Sequence, residues 1–454
     1  MTPQTVSLPS QAACQEADGV VIAGDCLPVM RALAIRDAVR YDLVLIDPPY
    51  NTGGRFIYDD RFASNEAWLD MMALRLHALR RLMTDDGALL VHIDEHQGPA
   101  LRGLLARLFG EANDLGEIIW DKLNPKGDAG RVAGQHERIL AFARDLKKFR
   151  ERRRLHRDKP HAPAMLAQAA RLVARIGQNR APEGLRQLIR RHELPVREAD
   201  CRRPYRLADA RRDYRQWLAQ QNIPPGEAAY RHLDASGRVY RTVSMAWPNR
   251  APPPPDYHEP LLHPVTGRPC PVPARGWRNP PATMARLLAD GQIVFGADHR
   301  KQPERRYWLS DNLTENLPSV IRYGGSDDTR LARLGIPFDH PKPVGLLIQL
   351  IDAFVGDEGR VLDCFAGSGS VGHACLERRA QGRDIRFTLV QSREPLDPSQ
   401  PGQRAGAAFC DAHGLARDIA QITRARIERA RDALEQDTGV PLRVDYAGFA
   451  GSPG

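Results

Sequence analysis

The 454-residue sequence lacks any apolar run approaching the ~18 residues that a membrane-spanning helix needs, which sets aside a spanning-helix protein. A basic, apolar start is missing too: Glu16 and Asp18 stand where a signal peptide would carry its hydrophobic stretch, so a cytoplasmic protein with no membrane partner is expected. Paired cysteines are absent. The seven, at 14, 26, 201, 270, 364, 375 and 410, form no C-x-x-C, and their odd number and wide spacing fit neither a disulfide framework nor a zinc site, so reduced thiols are expected. His136, His263 and His340 show no metal-ligand spacing and read as hydrogen-bonding histidines. No internal repeat is present. With 42% hydrophobic and 27% charged residues the composition excludes fibrous and mainly disordered chains. The length allows two or three domains, or one large α/β domain carrying an insertion.

Charge is present, and its distribution says more than its net value of +9. Residues 147 to 310 hold 33 basic and 15 acidic side chains, while the rest of the chain holds 32 basic and 41 acidic. A basic middle between acidic flanks points to a polyanionic partner, nucleic acid being the commonest, against the alternative of a solvated basic face. The flanks read as α/β. Tyr41 to Ile46 (YDLVLI) is a buried parallel strand ending at Asp47 and two prolines, and an amphipathic helix from Glu66 to Met83 follows, closed by a turn at Asp85-Asp86-Gly87. Strands are expected at Ala88 to Ile93, Glu117 to Trp120 and Arg138 to Phe142, with a helix around Leu101 to Phe109. From Lys147 the grammar breaks into Arg-rich and Pro-rich sequence, including the stiff spacer Ala251 to Asp256 (APPPPD). After residue 312 it resumes: a helix from Pro343 with one face of Leu346, Leu347, Leu350, Ile351 and Phe354, a strand Arg360 to Cys364, a glycine loop, a helix Val371 to Arg379, a strand Phe387 to Gln391, and a closing helix from Leu415 to about Glu435. Three segments result, 1–146, 147–311 and 312–454, forming a doubly wound, Rossmann-like α/β sheet with a basic domain inserted.

Two segments carry chemistry. A strand ending in Asp363, then Phe365-Ala366-Gly367-Ser368-Gly369-Ser370 and a helix, is the strand, tight turn and helix start that lets backbone approach a nucleotide-like ligand. Gly367, Gly369 and Gly372 match the dinucleotide spacing, but Gln391 stands where that pattern wants an acid, which weakens a nicotinamide or flavin reading. The other segment is Asp47-Pro48-Pro49-Tyr50 at a strand end. Prolines fix the backbone and carry no N–H, so the Pro48 carbonyl can face a cavity beside the Asp47 carboxylate. Two acceptors and an aromatic face suit a flat group with an exocyclic amine: the acceptors hold both amino hydrogens and Tyr50 stacks on the ring. Pro269-Cys270 could serve as a thiolate nucleophile, yet it lies in the Pro-rich segment, and Cys270 is read as structural.

Asp47-Pro48-Pro49-Tyr50 together with Phe365-Ala366-Gly367-Ser368-Gly369 resembles the S-adenosylmethionine-dependent amino-methyltransferases of DNA, in the motif order of their beta class. The blocks at 47–53 (DPPYNTG), 136–142 (HERILAF), 263–277 (HPVTGRPCPVPARGW), 338–344 (FDHPKPV) and 389–395 (LVQSREP) are similar to the Mod subunits of type III restriction-modification systems. The resemblance implies a circularly permuted methyltransferase fold that methylates the N6 amine of adenine in double-stranded DNA, with N4 of cytosine, or a silent DNA-binding subunit, as alternatives. It implies that Asp47 and Pro48 hold the amine, that Tyr50 beside Pro49 stacks on the extruded base, and that Phe365, Ala366, Gly367, Ser368 and Gly369, beyond the strand-ending Asp363, surround the cofactor's methionine part. Asp25 would meet the cofactor adenine or cap the following helix, His340 and Lys342 would close over the methionine, and Gln391 would serve the ribose. The middle domain would recognise the target sequence. A restriction subunit and a second copy of the chain are compatible partners.

Overall fold

The computed structural model describes residues 8, 10, 15–36, 39–54, 57–58, 60–126, 132–153, 155–181 and 184–449. Two compact units divide the chain: residues 1–157 with 316–454, and residues 158–315.

The larger unit is built on one nine-stranded sheet. Its elements in chain order are β1 (Gly19–Ala23), α1 (Cys26–Arg36), β2 (Tyr41–Ile46), α2 (Asn65–Leu82), β3 (Met83–Ile93), α3 (Gly98–Phe109), β4 (Asp114–Lys126), β5 (Gly134–Ala143) and α4 (Leu146–Arg152). After the second unit come β6 (Val320–Arg322), α5 (Asp328–Arg333), α6 (Val344–Phe354), β7 (Glu358–Asp363), α7 (Ser370–Ala380), β8 (Asp384–Gln391), α8 (Arg404–Ala412), α9 (Ile419–Thr438) and β9 (Val444–Ala447). The sheet order is β6-β4-β5-β3-β2-β7-β8-β1-β9. From β9 to β3 every pairing is parallel, and β5 alone runs against its two neighbours. Strand β7, from the last third of the chain, therefore lies between β2 and β8, and the carboxyl ends of β1, β2, β3, β7 and β8 share one edge.

Alternation along the strands makes the sheet two-sided. Leu43 and Leu45 of β2 pack with Leu346, Leu347, Leu350, Ile351 and Phe354 of α6 and with Val371 and Ala374 of α7. Val44 and Ile46 face the opposite layer, with Met30 of α1, Trp68, Met72, Leu76 and Leu79 of α2 and Leu101 and Leu105 of α3. Each such buried side chain contributes about 1.5–3 kcal/mol of burial free energy. The glycine at 372 permits a close approach of α7 to β8 and α9, because a Cβ there would lie 2.8 Å from both Ile427 and Leu389.

Several boundaries differ from the sequence reading. β3 begins at Met83, directly after α2, so Asp85-Asp86-Gly87 lies within a strand rather than in a turn. The helix α8, Arg404–Ala412, was not foreseen, and the closing helix begins later than Leu415: Asp418 starts α9 by accepting from the Gln421 N–H at 3.0 Å. Strands β1 and β9 were not foreseen. The segment from Lys147 belongs to the larger unit as far as Arg157. Its Phe149 is 2% exposed, with its ring 6.3 Å from that of Phe354, and Arg153 pairs with Asp42 at 2.5 Å.

The second unit holds helices at 162–173, 207–220 and 281–289 and a four-stranded antiparallel sheet ordered 293–294, 304–308, 239–244 and 232–233. In that sheet Tyr240 stands opposite Trp308, Arg241 opposite Tyr307 and Thr242 opposite Arg306. On one face the Arg306 guanidinium lies 4.6 Å from the Tyr240 ring centre and 5.0 Å from that of Trp308, with Arg238 at 3.9 Å from Trp308. On the other face Arg305 and Arg241 approach Tyr307 at 4.8 and 5.9 Å. Cation–π attraction of this kind holds guanidinium groups against rings.

Candidate functional site

Asp47 follows the last residue of β2, and Phe365 stands two residues beyond the end of β7. The parallel register of these neighbours, Val361 with Leu43 and Leu362 with Val44, carried on by three residues, sets Asp47 level with Phe365. Adjacent strands are about 4.8 Å apart, so the two motifs meet at one edge of the sheet. Their proximity is also electrostatic. Burial pushes the Asp363 carboxyl up to about 8, the Phe365 N–H it accepts at 2.9 Å opposes that, and the Asp47 charge adds to it, so Asp363 is a neutral acid at pH 7.

The tetrapeptide is held from behind. The Trp68 indole N–H donates to the Pro49 carbonyl at 2.7 Å. Asn51, in the left-handed region at φ 59°, and Thr52 both donate backbone N–H groups at 2.8 Å to the two oxygens of Asp60, which is 1% exposed. Asn tolerates that backbone better than most residues. Among the described residues none donates to the Pro48 carbonyl, which leaves it as an available acceptor.

In front of it lies an ion cluster. The Tyr50 hydroxyl donates to Asp47 Oδ1 at 2.6 Å, and Lys342 Nζ lies 2.9 Å from Asp47 Oδ2. The same ammonium is 3.3 Å from Glu137 Oε2, and Lys122 Nζ is 3.0 Å from Glu137 Oε1. Burial alone would raise the Glu137 carboxyl, but Lys342 and Lys122 hold it down to about 2. Burial would likewise lower Lys342, and Asp47 and Glu137 keep it above its ordinary value. The Tyr50 hydroxyl is pushed well up by burial and by the Asp47 and Glu137 charges, so it stays a donor. Behind the cluster His92 is 1% exposed, neither ring nitrogen has a hydrogen-bond partner among the described residues, and burial lowers its pKa to about 4, so the ring is neutral.

Sequence reasoning missed Glu137, Lys122 and His92. They come from β5, β4 and β3, and only the sheet order brings them beside β2. Lys342, expected at the cofactor, pairs with the Asp47 carboxylate. His340 is exposed and takes a left-handed backbone at φ 52°.

The glycine loop is stitched to its neighbours by Gln391. Its Oε1 accepts from the Gly367 N–H at 2.7 Å and its carbonyl accepts from Gly24 at 2.8 Å, which joins the loop to the turn bearing Asp25. The oxygen expected to serve a ribose thus also holds the loop, and among the described residues Gln391 Nε2 has no acceptor nearer than 3.4 Å. Asp25 is exposed and displays the helix-cap alternative, accepting from the Leu27 N–H at 2.8 Å. Gly367 and Gly369 have φ of 52° and 84°, where other residues would be strained. Ala366 and Ser368 are buried, and the Ser368 hydroxyl turns inward to Arg426 Nη1 at 2.6 Å, which also donates to Ser370 at 2.8 Å. Arg426 is 0% exposed, and burial lowers it to about 10 while Asp327 opposes that, so it remains charged.

Rival sites fare differently. Cys270 is 3% exposed in the second unit, and burial raises its thiol, the opposite of what a nucleophile needs. His263 is a turn-capping group that accepts from Val265 and Thr266 at 3.2 Å. Six cysteines are free thiols, Cys14 lies outside the described residues, and no helix among those residues is long and apolar enough to cross a membrane.

The chain is similar to known proteins over most of its length. The chain is 26% identical over 425 residues to the EcoP15I Mod subunit, a type III restriction-modification enzyme of Escherichia coli, covering 85% of this chain and 60% of that protein. With the StyLTI Mod subunit of Salmonella typhimurium the identity is 24% over 461 residues, covering 92% and 59%. The chain thus spans about three fifths of the length of these relatives. Among solved structures, the cytosine-N4-specific PvuII DNA methyltransferase aligns at a TM-score of 0.37 and 10% identity over 94% of this chain and 95% of its own, and the M1.HpyAVI–SAM complex at 0.33 and 10% over 82% and 94%. The profile of the N6/N4 DNA methylases matches residues 41–386, from the first residue of β2 into β8, and the chain belongs to that DNA methylase family.

Proposed function

We propose that this protein methylates the N6 amine of adenine in double-stranded DNA, with S-adenosylmethionine as methyl donor, as the modification component of a type III-like restriction-modification system in the cytoplasm. The observation that carries it is the meeting, at one sheet edge, of the Phe365–Gly369 loop with the Asp47 carboxylate and a Pro48 carbonyl that no donor among the described residues engages. S-adenosylmethionine, when bound, supplies an electrophilic methyl group. The chain's residues fit it. Bare backbone at Gly367 faces the Phe338 ring, which a Cβ there would approach to 3.5 Å, while Asp25 and Gln391 Nε2 offer an acceptor and a donor nearby. Asp363, Phe365, Ala366, Gly367, Ser368, Gly369, Asp25 and Gln391 would hold it.

Asp47 and the Pro48 carbonyl accept the two hydrogens of the target amine and stabilise the positive charge that develops on its nitrogen. Tyr50 stacks on the extruded base and offsets part of the few kcal/mol that leaving the duplex costs. The second unit, with arginines laid over aromatic rings, binds the duplex. A restriction subunit and a second copy of the chain are its expected partners. Modification-detecting sequencing of DNA from a host expressing the chain, with mass spectrometry of its nucleosides, tests the reading. N6-methyladenine at one recurring sequence is expected; N4-methylcytosine, or unmodified DNA, overturns it.

A further inference from the structure

We propose that Lys342 reads the target base: beside the Asp47 carboxylate, which accepts from the amine, its ammonium donates to the ring nitrogen next to that amine. This rests on the adenine reading above and adds to it.

An exocyclic amine and the neighbouring ring nitrogen of adenine present a donor and an acceptor side by side, and flipped bases are read along that edge. The matching protein pair is an acceptor and a donor side by side. Asp47 Oδ2 and Lys342 Nζ, 2.9 Å apart, are such a pair. An ammonium has three hydrogens. The Lys342 ammonium lies 2.9 Å from Asp47 Oδ2 and 3.3 Å from Glu137 Oε2, and no third acceptor is in reach of it among the described residues. The ammonium also lies 5.2 Å from the centre of the Tyr50 ring, the face on which the base would stack.

A plain counter-ion for Asp47 would not need the rest of the cluster. Glu137 takes Lys342 on one oxygen and Lys122 on the other, so two carboxylates and two ammonium groups balance, and Lys342 is held by a second carboxylate besides Asp47. Lys342 and Glu137 side chains are 14% and 15% exposed. Ion pairs so enclosed add little to stability because desolvation offsets the attraction, which favours a role in binding. The chemistry gives a reason for one. In adenine the ring nitrogen beside the amine has an in-plane lone pair and is the better nucleophile, and a hydrogen bond from Lys342 occupies that lone pair while the amine stays free to react. Lys342 keeps its proton throughout.

The test uses the whole 454-residue chain and a duplex carrying the sequence that modification-detecting sequencing identifies, with the target adenine replaced by 1-deazaadenine, in which that ring nitrogen becomes C–H, or by 7-deazaadenine as a control. For the unaltered protein kcat/KM falls at least about tenfold with 1-deazaadenine, the worth of one charge-assisted hydrogen bond, and little with 7-deazaadenine. Affinity for the same duplexes without cofactor, by fluorescence anisotropy, falls in the same order, although weakened pairing with thymine eases extrusion of the 1-deaza base. Lys342→Met, which keeps the apolar stem, is slower on adenine and loses the discrimination, treating adenine and 1-deazaadenine alike. Equal use of the two bases by the unaltered protein, or discrimination that survives in Lys342→Met, overturns the proposal. The unaltered protein decides the matter alone if the variant does not fold. Absence of methyl transfer to the ordinary adenine duplex would instead refute the reading on which this one is built.

Discussion

The two units use cations in opposite ways. At the carboxyl edge of the large sheet, Lys342 and Lys122 are matched one for one with Asp47 and Glu137 and drawn inward. In the second unit, Arg306 and Arg238 lie over Tyr240 and Trp308, and the Arg238 side chain remains 61% exposed although it pairs with Asp234. Ion pairs in an enclosed site fix atoms to within hydrogen-bond distances and suit chemistry on one small group. A guanidinium against a ring keeps its N–H edge outward and suits a long polyanion that must be gripped and released. Local arrangement, more than net charge, separates reacting from binding.

The sharpest way to break this contrast is Asp47→Ala. If Asp47 touches the amine, kcat falls at least about a thousandfold, some 4 kcal/mol of barrier, while cofactor affinity measured by calorimetry is kept. Unchanged turnover would make the charged edge structural. Next comes the border between the units: Phe149→Ala should cost about 3–5 kcal/mol in urea unfolding, because the ring is packed in the core of the large unit and leaves a cavity there. A loss below 1 kcal/mol would return that segment to the inserted unit.

A smaller effect is expected for Arg238→Gln. If this arginine neutralises a phosphate, the slope of log affinity against log salt should fall by about one, with at most about a tenfold loss of affinity near physiological salt. An unaltered slope would remove Arg238 from the DNA-binding surface.

The smallest concerns pH. Asp363 has a folded pKa of about 8, above its ordinary 3.8, so its contribution to stability is complete below about pH 3.8 and is lost as pH rises through about 8. Asp363→Asn should remove that decline, so the difference in urea midpoint between pH 6 and pH 9 should shrink relative to the parent. An equal difference in both proteins would show that Asp363 is not the titrating group.

Legibility in the sequence followed the range of the interactions. Asp47-Pro48-Pro49-Tyr50 and the glycine loop were readable because strand end, turn and helix start are written in consecutive residues. The α6 face was readable from its spacing, and all five residues named for it lie in the core. The start of α9 was set too early, at Leu415, because apolar spacing reaches back to that residue, while the true start depends on the cap at Asp418. Glu137 and Lys122 were invisible for a deeper reason. A carboxylate on β5 looks like any polar strand residue until the reversed strand sets it beside β2. Lys342 was noticed within a sequence block, yet its partner Asp47 lies nearly three hundred residues away.

The position of β7 between β2 and β8 has a consequence for synthesis. The partner of Leu43 is Val361, so at about 5–20 residues per second the ribosome takes on the order of 15 to 60 s to deliver the neighbour of a strand it has already released. Through that interval β2 presents a bare hydrogen-bonding edge with apolar residues on both faces, an invitation to mispairing that a chaperone would have to decline on its behalf. A nascent chain therefore cannot set Asp47 level with the glycine loop before residues 361 to 369 have been made.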